Sequence, residues 1–346
     1  MSRRTRSAPR SWRLVVSIAL AAAGLAGCAA TTTNAYVVTG QPSSSLDAPL
    51  QQVACTTAGS CLAVGVDDTG QAPASIAELR QADGHWTAAV VPNASSQTIS
   101  SSACWASACL IGGSEATVDS LWTYNQLSHS VSISPAPHGG RGVSALSCFA
   151  DGACAVVDST GIAGDSRLSF SGDSGATWSV PVVLPWTTGD AVTTLSCTDA
   201  LDCLVAATND RSHVLLEVTH DGGLTWVSRT VPSTWTTLTS LTCLQLRCVA
   251  LASTRSASLV VRTDTFFRVW RDVSLVGRAR ALACTTISRC VVVGQTTSSG
   301  SWLSTIKELR VKNVALKYVP STLVDVACGA KVCAAIGDST LLSLRP

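Results

Sequence analysis

The stretch Ala281-Leu282-Ala283-Cys284-Thr285-Thr286-Ile287-Ser288-Arg289-Cys290-Val291-Val292-Val293-Gly294 holds two apolar runs on either side of a short polar turn, with a cysteine at each edge of the turn. Runs of β-branched and small apolar residues bounded by turn residues read as strands. The segment is therefore a β-hairpin whose two strands are clipped at the turn. The same design recurs at Val53-Ala54-Cys55 with Cys61-Leu62-Ala63-Val64-Gly65, and at Ala145-Leu146-Ser147-Cys148 with Cys154-Ala155-Val156-Val157.

Fourteen cysteines fall into seven such pairs: Cys55/Cys61, Cys104/Cys109, Cys148/Cys154, Cys197/Cys203, Cys243/Cys248, Cys284/Cys290 and Cys328/Cys333. Successive first cysteines are 49, 44, 49, 46, 41 and 44 residues apart. A period near 45 residues is an internal repeat, and it decides the architecture before any local assignment. Zinc ligation needs tighter Cys pairs and further Cys or His ligands. The five histidines (His85, His129, His138, His213, His220) do not recur with the pairs. Redox C-x-x-C chemistry needs a shorter spacing than any pair has. Cross-strand disulfides are the expectation, and they place the chain in an oxidising compartment.

The fifteenth cysteine has a different setting. Residues 1–13 carry five arginines and no acid, and an apolar run from Leu14 to Gly27 follows. Fourteen residues rise only about 21 Å as a helix, short of a bilayer core of about 30 Å, so the segment reads as a cleaved leader. It ends in Leu25-Ala26-Gly27-Cys28. This resembles a bacterial lipobox, which implies cleavage before Cys28, lipidation of its thiol, and a protein held on the extracytoplasmic face of the cell membrane. Removal of residues 1–27 leaves 19 basic and 22 acidic residues, so the formal charge of +2 becomes −3. That balance excludes a nucleic-acid binder, which needs a concentrated basic surface. Hydrophobic residues make up 46% of the chain, enough to exclude disorder.

The second half of the repeat carries a turn motif. Ser171-Gly172-Asp173-Ser174-Gly175-Ala176-Thr177-Trp178 fits S-x-D-x-G-x-T-W, and Thr219-His220-Asp221-Gly222-Gly223-Leu224-Thr225-Trp226 fits it with Thr for Ser. These resemble the Asp-box of BNR repeats, found in sialidase-like, sortilin-type, photosystem II assembly-factor-like and WD40/YVTN-like propellers. Asp83-Gly84-His85-Trp86 is a shortened form, and Trp122 and Trp270 sit near the expected place in units that have lost the motif. The resemblance implies a structural role for Ser171, Asp173, Gly175, Trp178, Thr219, Asp221, Gly223 and Trp226. The Asp accepts backbone N–H bonds in the turn, Gly allows positive φ, and the Trp packs between sheets. Gly172-Asp173-Ser174-Gly175 also looks like a trypsin-type nucleophile segment, but its continuation departs from that family.

Together these features predict an all-β fold: a seven-bladed β-propeller with one hairpin disulfide per blade. The expected organisation is a leader at 1–27, the lipidated Cys28 with tether and closing strand at 28–48, and the propeller at 49–346. The last unit is one strand short, and Tyr36-Val37-Val38 is the expected donor of a strand that closes it. In the third unit the four strands are expected at 143–148, 154–158, 167–171 and 177–184. The turns with disulfides and Asp-boxes share one face. The opposite face is the expected binding surface, with Trp186, Trp235 and Trp302 as stacking candidates and Arg141, Asp190 and Arg211 as polar ones.

Glycosidase chemistry needs two positioned carboxylates, or a Tyr nucleophile with a Glu partner. The chain has three tyrosines (Tyr36, Tyr124, Tyr318) and four glutamates (Glu78, Glu115, Glu217, Glu308), with no sialidase-type Arg-Ile-Pro segment. No catalytic set, metal site or cofactor is expected. The expected function is a non-catalytic, membrane-anchored monomer that binds a protein, peptide or glycan and serves envelope assembly or scaffolding. The alternatives are a sialidase-like or other glycoside hydrolase, and a structural envelope component.

Overall fold

In the computed structural model, residues 37–42, 49–65, 75–79, 86–90, 97–115, 118–137, 142–150, 152–159, 166–186, 189–264, 266–296, 300–314, 316, 322–337 and 340–345 are described. The leader, Cys28 and the tether lie outside them. The chain divides into two compact units, Met1–Ala35 and Tyr36–Pro346, and every described strand and disulfide lies in the second. Among the described residues no helix is long and apolar enough to cross a membrane.

The fold is an all-β propeller with a disulfide in each sheet. Strand β1 (Val37–Pro42) comes first in the chain. The first sheet then holds β2 (Gln52–Cys55), β3 (Cys61–Gly65), β4 (Ser75–Leu79) and β5 (Trp86–Val90). The second holds β6 (Gln97–Cys104), β7 (Ala108–Glu115), β8 (Val118–Asn125) and β9 (Ser130–Ser134). The third holds β10 (Gly142–Ala150), β11 (Ala153–Ser159), β12 (Ser166–Ser171) and β13 (Val182–Val183). The fourth holds β14 (Ala191–Cys197), β15 (Cys203–Thr208), β16 (Val214–Thr219) and β17 (Val227–Ser228). The fifth holds β18 (Trp235–Leu244), β19 (Arg247–Thr254), β20 (Ser258–Asp264) and β21 (Val269–Leu275). The sixth holds β22 (Arg278–Thr286), β23 (Arg289–Gln295), β24 (Ser301–Lys307) and β25 (Arg310–Val314). The seventh holds β26 (Leu323–Cys328), β27 (Cys333–Gly337) and β28 (Thr340–Arg345), with β1 as the fourth strand. Each sheet is four-stranded and its pairings are antiparallel.

Second strands are buried on both faces, which is why they read as unbroken apolar runs. In β15 the side chains of Leu204 and Ala206 pack toward the fifth sheet, and Cys203 and Val205 toward the third. The core is therefore divided among the joints between successive sheets. One such joint pairs the seventh sheet with the first: Val332, Ala334, Ile336 and Leu341 meet Leu50, Val53, Cys61 and Ala63. Gly294, at the end of β23, shows why a small residue closes that run. A Cβ there would lie 2.3 Å from the Arg278 carbonyl oxygen and 2.5 Å from the Trp302 ring.

All seven cysteine pairs are bonded: Cys55–Cys61, Cys104–Cys109, Cys148–Cys154, Cys197–Cys203, Cys243–Cys248, Cys284–Cys290 and Cys328–Cys333, with Cα separations of 3.9–4.1 Å. In each sheet the two partners stand directly opposite across the first and second strands. The second cysteine of each pair lies deep, although it stands beside a polar turn. Cys61, Cys109, Cys154, Cys203, Cys248 and Cys333 are 0% exposed, and Cys290 is 2% exposed. The reason is position: each lies at or near the start of a second strand, which neighbouring sheets cover on both sides. Cys109 packs with Leu62, Val64 and Tyr124 where the first and second sheets meet. Cys248 packs with Leu204, Val218 and Phe266 where the fourth and fifth meet. These cysteines therefore act as small apolar core residues as well as cross-links.

First strands also share a bulge, as at Ile99/Ser101, Val143/Ala145, Leu238/Ser240 and Leu323/Asp325. A bulge turns the following side chain toward the neighbouring sheet. There Ser101 accepts a hydrogen bond from Leu146 N (3.0 Å) and Ser240 from Leu282 N (3.2 Å), linking one sheet to the next.

The outer strand of the third sheet departs from expectation. The sequence predicts strand over 177–184, whereas only Val182–Val183 is strand. Thr177 is committed to the Asp173 carboxylate, and the Trp178 indole N–H donates to the Pro135 carbonyl at 2.9 Å, so the chain there follows the turn instead of the ladder. Trp122 differs too. It lies in β8, opposite Ile133, and is buried at the joint with the first sheet instead of marking an outer-strand turn.

Candidate functional site

Cys154 pairs with Ser171 across β11 and β12, and Cys203 with Thr219 across β15 and β16. Disulfide loops and third-to-fourth-strand turns therefore share one face. The opposite face is made of second-to-third-strand loops and the connections between sheets. Much of it, including Arg141 and residues 66–74, 160–165 and 297–299, lies outside the described residues.

Two segments of that face come together. Gly189, just before β14, lies beside the loop after β15: an added Cβ on it would sit 3.8 Å from the Asp210 Cβ. The loop is held by its own first residue. The Asn209 side-chain oxygen accepts from Arg211 N (3.1 Å) and His213 N (2.9 Å), and Ser212 takes a positive φ of 58°. Arg211 and His213 are exposed on this loop, and Asp190 is half-buried. Trp186 is half-buried against the joint of the third and fourth sheets. Its buried indole N–H has no hydrogen-bond partner among the described residues.

The other two tryptophans differ in burial, and Trp235 is no ligand platform in this arrangement. Trp235 is 2% exposed and packs in the joint of the fourth and fifth sheets, 6.1 Å from the Trp270 ring. It opens β18, and the joint covers it before a ligand can. Trp302 is half-buried against the fifth-to-sixth joint and lies over Gly294, and its buried indole N–H, like that of Trp186, has no hydrogen-bond partner among the described residues.

The turns on the disulfide face have a closed internal chemistry. Ser171 Oγ accepts from Gly175 N (2.8 Å) and donates to Asp173 (2.9 Å). Asp173 in turn accepts from Thr177 N (2.8 Å) and Thr177 Oγ1 (2.6 Å). The second turn repeats every bond with Thr219, Asp221, Gly223 and Thr225. The Thr177 and Thr225 hydroxyls are the largest influence holding the Asp173 and Asp221 carboxyls below the usual range. Gly175 and Gly223 take φ of 82° and 90°. Trp178 and Trp226 pack against the second-to-third and third-to-fourth joints. The fifth sheet keeps this turn without its Asp: Thr263 Oγ1 accepts from Phe267 N at 2.8 Å, with Phe266 and Phe267 at φ of 46° and 60°. Trp270 follows Thr263 at the same offset as Trp178 follows Ser171.

Among the described residues, one tyrosine and one glutamate weighed for hydrolase chemistry are buried in the fold. Tyr124 is 1% exposed in β8. Glu217 is buried in β16, where Ser228 Oγ donates to it at 2.6 Å and desolvation raises its pKa. The structure adds one acid that sequence reasoning missed. Asp325 follows the bulge of β26, where the second and fifth sheets have Ser101 and Ser240. Its carboxylate accepts from Val53 N (2.8 Å) across the joint with the first sheet and from Val326 N (2.8 Å). Burial at that joint outweighs the two hydrogen bonds and pushes its pKa up to about 7. Aligning the repeats by their first cysteines is the signal that exposes it.

No protein-family model matches the chain, and no curated protein matches it at the level sought. Solved structures do. The structure of YCF48 bound to D1 peptide is similar with a TM-score of 0.64 at 16% identity, over 91% of this chain and 96% of that one. Virginiamycin B lyase from Staphylococcus aureus, in a catalytically inactive form with quinupristin, has a TM-score of 0.65 at 8% identity, over 90% and 99%. The Dos1 propeller has a TM-score of 0.58 at 11% identity, over 88% and 94%. These likenesses show the β-propeller fold.

Proposed function

We propose that this chain is a lipid-anchored, extracytoplasmic propeller of seven blades, closed by its N-terminal strand, which binds a protein, peptide or glycan without catalysis. Its role is that of an assembly or scaffold factor at the cell envelope. The observation that carries this is the rim on the face away from the disulfides: Gly189 lies against Asp210, the exposed Arg211 follows in the chain, and Trp186, three residues before Gly189, keeps an indole N–H unpartnered among the described residues. Loops placed on a rigid scaffold are where binding residues concentrate. A propeller of similar fold is known with a bound peptide, while another is a lyase. The burial of Tyr124 and the pairing of Glu217 with Ser228 favour binding over glycoside hydrolysis. The leader ending in Cys28 supports the anchor.

A photo-crosslinker at position 211 of the membrane-bound protein should capture a specific partner, and Trp186→Ala should abolish that capture. Capture that persists in Trp186→Ala would remove the rim as the site. Turnover of a fluorogenic glycoside, abolished by one carboxylate substitution, would replace binding by hydrolysis. Labelled palmitate should enter the wild-type chain and not Cys28→Ala.

A further inference from the structure

The near-neutral charge of the mature chain hides a sharp partition. Residues 229–317 contain 13 Lys and Arg against three Asp and Glu, whereas residues 28–228 and 318–346 contain six against 19. The basic part corresponds to the fifth and sixth sheets.

Within the sixth sheet the cations are aligned. Arg289 in β23 stands directly opposite Lys307 in β24, and Lys307 stands opposite Arg310 in β25. Lys312 follows two residues on and so faces the same side. All four are exposed, and none has an ion pair among the described residues. Like charges directly opposite one another destabilise a sheet. Three in one row therefore oppose folding, and only Glu308 at the tip of the hairpin opposes them in charge. The row lies one residue beyond the Cys290–Ile306 pair, at the disulfide end of the sheet. Val291, Val293 and Leu303, on the same side as the row, pack toward the seventh sheet, whose disulfide loop presents the exposed Lys331. In that sheet β1 pairs Val37 with Arg345, and Leu344 pairs with Cys333. Val37 thus lies at the disulfide end of the seventh sheet, the sheet toward which the side of the row packs.

We infer that the row Arg289–Lys307–Arg310, extended by Lys312 and Lys331, is a docking surface for the anionic phospholipid headgroups of the membrane. The inference rests on the proposed lipid anchor, because an anchor entering at Val37 brings this end of the sheets to the membrane. A basic cluster near an anionic bilayer gains attraction from each cation, and the gain falls off within a Debye length. The acyl group then sets the distance and the cation row sets the orientation, with the opposite face and its Trp186 rim turned outward.

The test uses residues 36–346, the compact unit that holds every described strand and disulfide. It should float with vesicles of mixed phosphatidylcholine and phosphatidylglycerol, and not with phosphatidylcholine alone. Raising NaCl from about 0.05 to about 0.5 M should release it. The combined Arg289→Gln, Lys307→Gln, Arg310→Gln variant should lose partitioning on the order of a hundredfold, with an unchanged or higher Tm as its folding control. Equal flotation of the variant, or equal binding to phosphatidylcholine alone, would overturn the site. Salt-sensitive binding to polyglutamate without binding to vesicles would also overturn it and assign the row to an acidic polypeptide. This unit lacks Cys28, so its failure to float bears on the cation row, whereas palmitate labelling bears on the anchor.

Discussion

One residue past the first-strand bulge, the second and fifth sheets carry Ser101 and Ser240, and the seventh carries Asp325. All three accept a backbone N–H from the next sheet, so the bond is kept within the molecule while its charge is not. The folded Asp325 has a pKa of about 7 against an ordinary 3.8, so the native state holds a proton that the unfolded chain has released. Its contribution to stability is complete below about pH 4 and is lost as pH rises through about 7. Thermal unfolding followed from pH 5 to 8 should show Tm falling, and Asp325→Ser should flatten that slope while keeping the bond to Val53. A slope unchanged in the variant would assign the pH dependence elsewhere. The residue level also shows where sequence and structure part. Asp173 and Asp221 were legible because their turn is built from neighbours within seven positions. Trp235 was not, because its burial depends on Trp270 and on side chains of another sheet. Asp325 stayed hidden for the same reason, since its partner Val53 lies 272 residues away.

The hairpin is the element on which the chain is built, and it was the most legible part of the sequence. Two apolar runs, a polar turn and two cysteines specify strand, register and cross-link together. The depth of the second cysteine was not legible, because what covers Cys109 or Cys248 belongs in part to another sheet. The outer strand was the least legible. Val182–Val183 and Val227–Ser228 are short and half-exposed or exposed, so no apolar alternation marks them. The turn before them carries its information in geometry more than in letters. Thr263 keeps the clamp on Phe267 N although the Asp and Gly of the motif are gone, and two phenylalanines accept a left-handed backbone instead. Both are nearly fully buried, and that packing offsets the strain. At this scale the clearest measurement is the cost of one clip. A disulfide closing a loop of about seven residues contributes about 2 kcal/mol in the chain-entropy model. The paired change Cys284→Ala with Cys290→Ala should lower unfolding free energy by about that amount in denaturant titration. A loss several times larger would mean that the pair also holds the fifth-to-sixth joint, where both cysteines pack.

For the whole molecule, the deciding contact joins the two ends of the chain. Strand β1 pairs along its length with β28, from Val37–Arg345 to Pro42–Thr340. The apolar joint between the seventh and first sheets adds Leu50 and Val53 to Ile336 and Leu341. Deleting residues 30–42 removes the outer strand of the last sheet and should lower Tm markedly, with added exposure of the β28 edge. An unchanged Tm would argue that the ring stands without that strand. The repeat period made the propeller legible, because a recurring unit shows itself without any one copy needing to be read correctly. The rim around Gly189 and Asp210 was legible only as a face, since its composition follows from connections that share no motif.

The disulfides have a consequence for how such a chain reaches its native pairing. Fourteen cysteines allow on the order of 10^5 pairings. Here every partner is the next cysteine along the chain, five or six residues away. A chain delivered to an oxidising space in order, N-terminus first, meets each correct partner before the following one has emerged. Vectorial delivery then selects the native set at every step, and a shuffling catalyst has little to repair.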